Sequence, residues 1–462
     1  MRPLSAVAAL AAALVLAAPA AADGTFQIDG GGFGHGIGMS QYGAYGYAQH
    51  GKSYRFILGH YYQHTKLRMA NPKQIIRVLL ATGSASFSGA TYAPHKRLNP
   101  NRTYSVRANA DGTLALRDWK GRKVGTFNAP LSVGGPGPLL LAGQGSYRGW
   151  LEFRPDGAGV GVQTVDALHL EDYVRGVVSY EMPSSWAPEA LKTQAVAART
   201  YAITSTVEGN GFQLYRDTRS QMYGGVAAET PSTDAAVAAT RGQVVTYHGK
   251  PAITYFSSSS GGHTENVEDA WPGSAPKPWL KGVSDPYDGA AHNPKHRWSV
   301  KLTIPSAQGK LGSLVKGGLV GIVVSKHGVS RRIVSAQVVG TRGRAPVSGP
   351  QLEGIFGLPS APTAVTTVTS ASGAPPTPTR RVGARGQVAA IETAFEVLEL
   401  HGRVFPAKAG SEISIQRRTD HGWSSASNVP VSNAGYYDAW LSRAGTYRAL
   451  YGGVAGAAVD VR

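Results

Sequence analysis

The chain has 462 residues, and its 46 Lys and Arg outnumber its 28 Asp and Glu, for a formal net charge of +18. Charged residues make up 16% and hydrophobic residues 42% of the chain, a balance that excludes global disorder. The 59 glycines argue against a helical bundle, and the lack of cysteine excludes disulfides, thiolate nucleophiles and zinc ribbons. A chain of this length accommodates roughly two to four domains with their own cores.

The N-terminus is typical of a secretory signal peptide. Arg2 precedes an apolar stretch from Leu4 to Ala18, and the small residues Ala20 to Ala22 offer a cleavage site. The stretch is too short for a spanning helix, and the alternative is a buried Ala-rich core helix. We therefore expect residues 1–22 to be a signal peptide and the mature protein to be secreted to the cell wall, with no membrane span. For an exported protein, the basic excess favours anionic wall polymers over nucleic acid as partners.

The elements that follow predict a β-rich region and one strong helix. Residues 45–62 predict a short helix, and residues 74–168 contain short β-branched or aromatic runs separated by Gly, Asn, Asp and Pro. A helix is then expected after Ser184 or Ser185, either of which can cap it, with Pro188 in its first turn. Its buried stripe consists of small or apolar residues at helical spacing, namely Leu191, Ala195, Ala198 and Ala202.

The C-terminal third divides into a mixed region, a linker and a second β-rich module. A weaker helix is expected over residues 232–240, and a strand pair over 242–256. Residues 359–386 are rich in Ser, Thr, Pro and Ala and predict a linker that ends in a basic patch, Arg380, Arg381 and Arg385. Residues 387–462 show alternating short strands and resemble the immunoglobulin-like sandwich modules of secreted bacterial enzymes. The predicted fold is α+β, with a β-rich core domain over residues 23–358, a few helices around a substrate groove, and this all-β module.

One carboxylate stands in a setting that suits acid catalysis. Glu181 is flanked by Tyr180, Met182 and Trp186, so desolvation is expected to raise the pKa of its carboxyl. A carboxyl that stays neutral near neutral pH can act as a general acid. The alternative is that Glu181 is a helix-start partner or a member of an ion pair.

Three further clusters carry polar groups that could bind a ligand. Gln194, Arg199 and Tyr201 lie on the Ala-rich helix, where the alternative is a solvated face. Residues 257–265 form a loop with hydroxyls, backbone amides and one imidazole, and its alternative is a low-complexity Ser loop. The glycine run around His35 mimics a nucleotide fingerprint, but no strand–turn–helix with a later acid frames it.

Together these clusters resemble the family of stage II sporulation protein D, whose core domain is shared with amidase enhancer proteins. The resemblance covers about residues 30–300 and rests on long strings. The matching strings are Gly34 to Ala44 (GHGIGMSQYGA), Leu170 to Pro183 (LEDYVRGVVSYEMP), Ala190 to Tyr201 (ALKTQAVAARTY), Gln221 to Gly225 (QMYGG), Thr240 to Val244 (TRGQV) and Phe256 to Glu265 (FSSSSGGHTE).

The chain departs from the family pattern in two places. The GHGIGMSQ string precedes the other motifs here, whereas in the family it usually follows them, so we expect a permuted order in which the string returns to the same cleft. Some members carry a Cys or His just before the Q-x-Y string, where zinc binds. Residues 217–220 offer no such ligand, and although His35, His263 and His292 could supply imidazoles, the prediction is no metal and no other cofactor.

The resemblance implies a lytic transglycosylase that cleaves peptidoglycan glycan strands and leaves 1,6-anhydro ends, with Glu181 as the catalytic acid and base. The remaining predicted site residues are expected to bind sugar hydroxyl and N-acetyl groups: His35, Ser40, Gln41, Gln194, Arg199, Tyr201, Gln221, Tyr223, Ser257, Ser258 and His263. The expected partners are glycan strands, anionic wall polymers and a wall amidase. The alternative function is a glycan-binding amidase enhancer without turnover, and a purely structural adhesin is a third hypothesis.

Overall fold

A computed structural model describes residues 23–157, 161–205, 211–290, 292–372 and 398–462. Three predictions therefore lie outside the described residues: the signal peptide, the basic patch around Arg380, and the linker from residue 373 onward. Over the described ranges strands predominate and helices are few, which confirms the predicted α+β class. No helix in these ranges is long and apolar enough to cross a membrane.

The first elements lead from a strand into two short helices. They are β1 (Asp23–Gly30), β2 (Met39–Ser40), α1 (Gln41–Gln49), α2 (Tyr54–Tyr61) and β3 (Lys66–Met69). The sequence predicted one helix here, whereas the structure has two. The second begins separately because the Ser53 hydroxyl caps it by accepting a hydrogen bond from the Phe56 N–H.

The region predicted as β-rich consists of two sheets that share one core. Its strands are β4 (Ile75–Gly83), β5 (Ala85–Ser88), β6 (Tyr92–Ala93), β7 (Lys96–Arg97), β8 (Tyr104–Ala108), β9 (Leu114–Arg117), β10 (Lys123–Phe127), β11 (Leu131–Gly134), β12 (Leu139–Leu141), β13 (Gly145–Tyr147), β14 (Trp150–Pro155) and β15 (Val162–His169). Strands β4, β15, β14 and β11 are neighbours in one sheet, and β10, β9, β8 and β5 in the other. Phe153 of the first sheet and Phe87 of the second stack with ring centroids 5.4 Å apart.

The motif-bearing segment supplies most of the helices. Its elements are α3 (Leu170–Glu181), α4 (Pro188–Thr204), β16 (Leu214–Tyr215), α5 (Pro231–Ala239), β17 (Gln243–Tyr247), β18 (Lys250–Pro251), β19 (Phe256–Ser257) and α6 (Val267–Ala270). The small-residue stripe of α4 is buried, as predicted. The predicted serine cap is wrong: Ala187 is the N-cap and makes no side-chain hydrogen bond, while Pro188 begins the helix. Proline suits this position because its fixed φ is already helical and no N–H is needed there.

A second core forms around residues 298–365. Its elements are β20 (Trp298–Thr303), α7 (Ile304–Leu311), β21 (Leu319–His327), β22 (Ile333–Gly340), β23 (Gly343–Ser348), α8 (Gly349–Phe356) and β24 (Ala364–Ser372). Strand β24 corrects the prediction that a linker begins at residue 359. It pairs with β1 on one side and with β25 (Glu399–Phe405) on the other, and it buries Val365 and Val368. Its β-branched Val and Thr residues suit a strand that has partners on both sides.

The C-terminal residues form two sheets over a third core. Their strands are β25 (Glu399–Phe405), β26 (Glu412–Thr419), β27 (Gly422–Pro430), β28 (Tyr436–Trp440), β29 (Gly445–Tyr451), β30 (Val454–Ala455) and β31 (Val459–Val461). One sheet has the order β20-β1-β24-β25-β28. The C-terminal strands β25 and β28 therefore extend the sheet that also contains β1. Val404 and Ile415, from the two sheets, lie in the shared core. The immunoglobulin-like character of this module stays a prediction.

Candidate active site

Glu181 lies at the last position of α3, and the two residues that follow it explain why the helix ends there. The next residue, Met182, is extended (φ −130°, ψ 140°) and precedes Pro183, which disfavours the helical conformation of the residue before it. The helix therefore ends with a carboxyl group at its negative pole, where an ionised carboxylate is disfavoured. Burial raises the pKa of Glu181 above its ordinary value, as the sequence predicted.

Two donors hold the Glu181 carboxyl in place. The Met222 N–H donates to Oε1 at 2.7 Å, and the Gln41 amide donates to Oε2 at 3.2 Å. Both bonds stabilise the ionised form and partly offset the effect of burial on the pKa. The carboxyl is thus oriented through both of its oxygens.

Gln41 belongs to the string that precedes the other motifs, and the structure brings that string to Glu181. Strand β2 pairs in parallel with β19, with Met39 opposite Phe256 and Ser40 opposite Ser257. Ser40 then caps α1 by accepting a hydrogen bond from the Gly43 N–H, which places Gln41 at the first position of the helix. The prediction that this string returns to the same cleft is confirmed.

Buried carboxylates anchor the serine loop beneath this pairing. Asp288 accepts hydrogen bonds from the hydroxyls of Ser40 (3.0 Å) and Ser259 (2.9 and 3.0 Å) and from two loop N–H groups. Asp285 accepts from the hydroxyls of Ser260 and Tyr61, and burial raises its pKa to about 6. Ser40, a predicted ligand contact, is 1% exposed and serves this network.

His35 is neutral at physiological pH. Burial, aided by the positive charge of Arg332, lowers the pKa of its ring to about 4. Nδ1 accepts a hydrogen bond from the Ile37 N–H at 2.9 Å, and the ring packs against Trp271 with centroids 5.0 Å apart. His35 can therefore hydrogen-bond a ligand but cannot supply a cation or a proton near pH 7.

A cavity of about 340 Å³ opens over Glu181. Six of the predicted site residues line it: His35, Gln41, Glu181, Tyr201, Ser257 and Ser258. Nine lining residues were not assigned to the site from the sequence: Phe33, Gly34, Thr218, Arg219, Ser220, Met222, Tyr255, Phe256 and Trp271. Gly34, Met222 and Phe256 belong to matching strings, and most of the others lie within a few residues of one, so membership of a string or adjacency to it was the signal available.

The other predicted ligand contacts lie away from the cavity lining. Arg199 is fully buried and pairs with both oxygens of Glu171 at 2.9 Å, so it is not on a solvated face. Tyr223 donates to the buried Asp166 at 2.6 Å. The first contact joins α4 to α3, and the second joins the segment after β16 to β15.

Gln194, Gln221 and His263 also lie outside the cavity lining. Gln194 is fully buried, and its amide atoms have no hydrogen-bond partner among the described residues. Gln221 donates to Tyr173 and to the Ala198 carbonyl, both at 3.3 Å. The Nδ1 atom of His263 lies 2.7 Å from the Thr264 carbonyl oxygen. Their direct role in ligand binding stays a prediction.

Within the described ranges, no three His, Cys, Asp or Glu residues are grouped closely enough to hold a metal ion. The carboxylates nearest the serine loop, Asp285 and Asp288, are already occupied by hydroxyl and N–H donors. The prediction that no metal is needed remains untested.

Comparison with known proteins identifies the domain that carries this site. Residues 158–247 match the family described as Stage II sporulation protein. The segment includes Glu181 and α4, so the resemblance read from the motifs is confirmed. The chain carries the domain shared by the stage II sporulation protein D and amidase enhancer family.

Several curated proteins are similar over part of their length. Stage II sporulation protein D of Bacillus subtilis is 39% identical over 173 residues, which cover 34% of this chain and 49% of that protein. An uncharacterised protein of Brachyspira hyodysenteriae is 34% identical over 225 residues, 46% of this chain and 58% of that protein. The amidase enhancer of Bacillus subtilis is 39% identical over 130 residues, 28% of this chain and 17% of that protein. The chain thus spans about half the length of the first two of these relatives.

Proposed function

We propose that this protein is a secreted lytic transglycosylase that remodels the cell wall by cleaving peptidoglycan glycan strands, with Glu181 as general acid and base. The observation that carries the proposal is a single buried carboxyl, with a raised pKa, that lies in the segment matched to the family and is held by two donors at a cavity. Burial keeps a share of this carboxyl protonated at higher pH than an exposed glutamate, which suits proton donation to a glycosidic oxygen.

The number of carboxyl groups favours ring closure over hydrolysis. Glycosidases that use water need two carboxyls, about 5–9.5 Å apart. Among the described residues that line the cavity, Glu181 is the only carboxylic acid. One carboxyl suffices when the sugar's own 6-hydroxyl is the nucleophile, because the same group can first give a proton and then accept one.

The reaction proceeds as follows in this proposal. The Glu181 carboxyl protonates the bridging oxygen as the bond from that oxygen to C1 breaks, and positive charge develops on the ring. The resulting carboxylate, stabilised by the Met222 N–H and the Gln41 amide, accepts the proton of the 6-hydroxyl. The 6-oxygen bonds to C1 and closes the 1,6-anhydro ring. No water is consumed, and one strand becomes two.

A second function, stimulation of a partner amidase without turnover, is favoured by one observation. The similarity extends to a protein named amidase enhancer, at 39% identity. In this alternative the cavity binds glycan, and Glu181 is a hydrogen-bonding residue rather than an acid. Attraction to anionic wall polymers, through the +18 charge, accompanies either function.

Product chemistry separates the two functions. Purified glycan strands are incubated with the mature protein, and the new ends are identified by mass spectrometry. Anhydro ends are expected. New reducing ends would indicate hydrolysis and contradict the ring-closing mechanism. Intact strands that bind the protein, together with faster peptide release when a wall amidase is added, would establish the enhancer function instead.

A further inference from the structure

A second cavity adjoins the one over Glu181. It has a volume of about 290 Å³, and His35 and Trp271 line both cavities. Its remaining lining comes from two segments: Glu265, Asp269 and Ala270 on one side, and Arg332, Ile333, Val334, Pro350, Glu353, Gly354 and Ala361 on the other. All of these residues lie outside the segment matched to the family, residues 158–247.

The second cavity has a mostly apolar lining that includes one buried cation, Arg332. Arg332 is 3% exposed, and its guanidinium donates to the carbonyl oxygens of Gly34 (3.1 Å), Ser260 (3.3 Å) and Gly31 (3.4 Å). These bonds join the glycine run around His35 and the serine loop of residues 257–265 to the start of β22. These three acceptors are neutral carbonyl oxygens. Among the described residues, no carboxylate lies within ion-pair distance of the Arg332 guanidinium.

The chemistry of the lining suits a carbohydrate. Trp271 offers a partly exposed indole, whose face packs well against the C–H groups of a sugar ring, and Glu353 offers a carboxyl acceptor for hydroxyls. The other two carboxyls of the lining, Glu265 and Asp269, already accept hydrogen bonds from protein donors. Glu353 is half-buried on α8, where burial raises its pKa and the nearby Arg332 opposes the rise. A volume of about 290 Å³ lies near the lower end of small-ligand sites, which run from roughly 300 to 1,000 Å³, and accommodates a monosaccharide unit.

We propose that this second cavity is a further saccharide-binding site, in which a glycan strand continues past His35 and Trp271 beyond the bond at Glu181. The inference rests on the proposed function, since it takes the occupant of the first cavity to be glycan. A third cavity, of about 320 Å³, meets the Glu181 cavity through Tyr201, Arg219, Ser220 and Tyr255. The Glu181 cavity therefore has neighbours at two of its margins, which favours binding within a strand over binding at its end.

Gly354 on α8 lines the second cavity, so a large side chain can be placed at the margin of that cavity. A Cβ atom built at Gly354 meets no heavy atom within 4 Å, so Gly354→Trp projects into open space. The matched control is Gly309→Trp on α7, where a Cβ also meets nothing within 4 Å and which lines none of the three cavities described. Both substitutions replace an exposed helical glycine, and replacing a glycine inside a helix does not weaken that helix.

The experiment measures the affinity of N-acetylglucosamine oligomers of two to six units by calorimetry. We expect the affinity of the wild-type protein to rise with length. In Gly354→Trp the affinity for the hexamer should fall at least tenfold, while the affinity for the dimer changes less than twofold. Gly309→Trp should match the wild type at every length. Glu353→Leu removes an acceptor without filling the cavity and should show a smaller loss confined to the long oligomers.

Two outcomes would overturn the inference: wild-type affinity that does not depend on length, including no binding, or a Gly354→Trp protein that matches the wild type for all oligomers. A failure of the proposed function would give a different set of results. If strands stay intact while the length dependence and its loss in Gly354→Trp persist, the site stands and the transglycosylase does not. If anhydro ends form but Gly354→Trp changes nothing, the enzyme stands and the second site does not.

Discussion

Two glutamates, Glu181 and Glu189, lie at opposite helix ends and differ in acidity because of their burial and their local partners. Glu181 ends α3, where burial raises its pKa. Glu189 lies in the first turn of α4; burial raises its pKa too, but the ion pair with Lys192 and the Tyr54 N–H outweigh burial and lower it overall. The first carboxyl is thus suited to give a proton, and the second stays ionised.

Glu181→Gln is expected to lower the rate of strand cleavage by about 10²–10⁴-fold, the usual cost of losing acid catalysis, because the amide has no acidic proton. Glycan affinity should change little, since the shape is kept and the amide oxygen of the new Gln side chain can still accept from the Met222 N–H. Glu189→Gln is the matched control and should retain most of the activity. Release of anhydro ends by Glu181→Gln at a rate near that of the wild type would contradict the mechanism.

The pKa of Glu181 depends on burial first, then on the Met222 N–H and on Gln41. The Gln41 amide donates to Oε2 of Glu181 and stabilises the ionised form. Activity requires the protonated acid, so kcat/KM should fall as the pH rises through the pKa of Glu181. Gln41→Met removes the donor, further raises that pKa, and should move the falling limb to higher pH while lowering the maximum rate. A limb that stays in place, or moves to lower pH, would show that Gln41 does not control the ionisation of Glu181.

At the scale of elements, the pair of Arg199 and Glu171 joins α4 to α3 and to the turn before β17. Arg199 donates to both oxygens of Glu171, and the Gly242 N–H donates to the same carboxylate at 3.0 Å. Removing one partner of a buried pair leaves an uncompensated charge, at a cost of about 3–5 kcal/mol in the free energy of unfolding. The pair therefore has a structural role.

Arg199→Met should show this cost in urea unfolding. The control is Arg122→Met, which removes an exposed cation that pairs with Asp118 and should change stability little. Glycan affinity of the Arg199→Met protein, measured where it remains folded, should stay within about twofold of the wild type. A large loss of affinity with unchanged stability would instead support Arg199 as a ligand contact.

At the scale of the whole molecule, the basic charge is unevenly placed. Residues 66–157 contain 14 Lys and Arg against 4 Asp and Glu, whereas residues 398–462 contain 7 against 5. Arg117 of β9 pairs in register with Lys123 of β10, and Arg107 projects from β8 on the same face; all three are exposed. Among the described residues, this face concentrates positive charge far more than the C-terminal module does.

Retention on isolated cell walls should therefore depend on the β8–β10 face. Replacing Arg107, Arg117 and Lys123 with Gln should weaken retention and flatten its dependence on salt, because exposed charges act over about 8–10 Å at physiological ionic strength. Replacing Lys408, Arg418 and Arg443, three exposed cations of the C-terminal module, removes the same charge as a control and should have a smaller effect. A larger effect of the C-terminal substitutions would contradict this prediction and would place the main wall contact in the C-terminal module.

Local sequence was sufficient for much of this protein. The Ala-rich stripe predicted the buried face of α4, and the alternation of β-branched residues and turns predicted the β-rich region, because both patterns repeat within a few residues. The setting of Glu181 between aromatic and apolar neighbours predicted its raised pKa. The proline that follows Met182, which ends α3 at Glu181, was already visible in the chain.

Only the tertiary structure decided the features that depend on contacts between residues far apart in the chain. Whether Ser40 or Gln41 faces the ligand depends on the pairing of β2 with β19, 217 residues later, and on the buried Asp288 that holds Ser40. Arg199 was assigned to a solvated or ligand-binding face because its partner, Glu171, comes from another helix. Strand β24 was assigned to a linker because a strand between two partners needs little hydrophobicity of its own. Periodicity along one segment carries no information about which other segment will cover it, and only the folded chain supplies that.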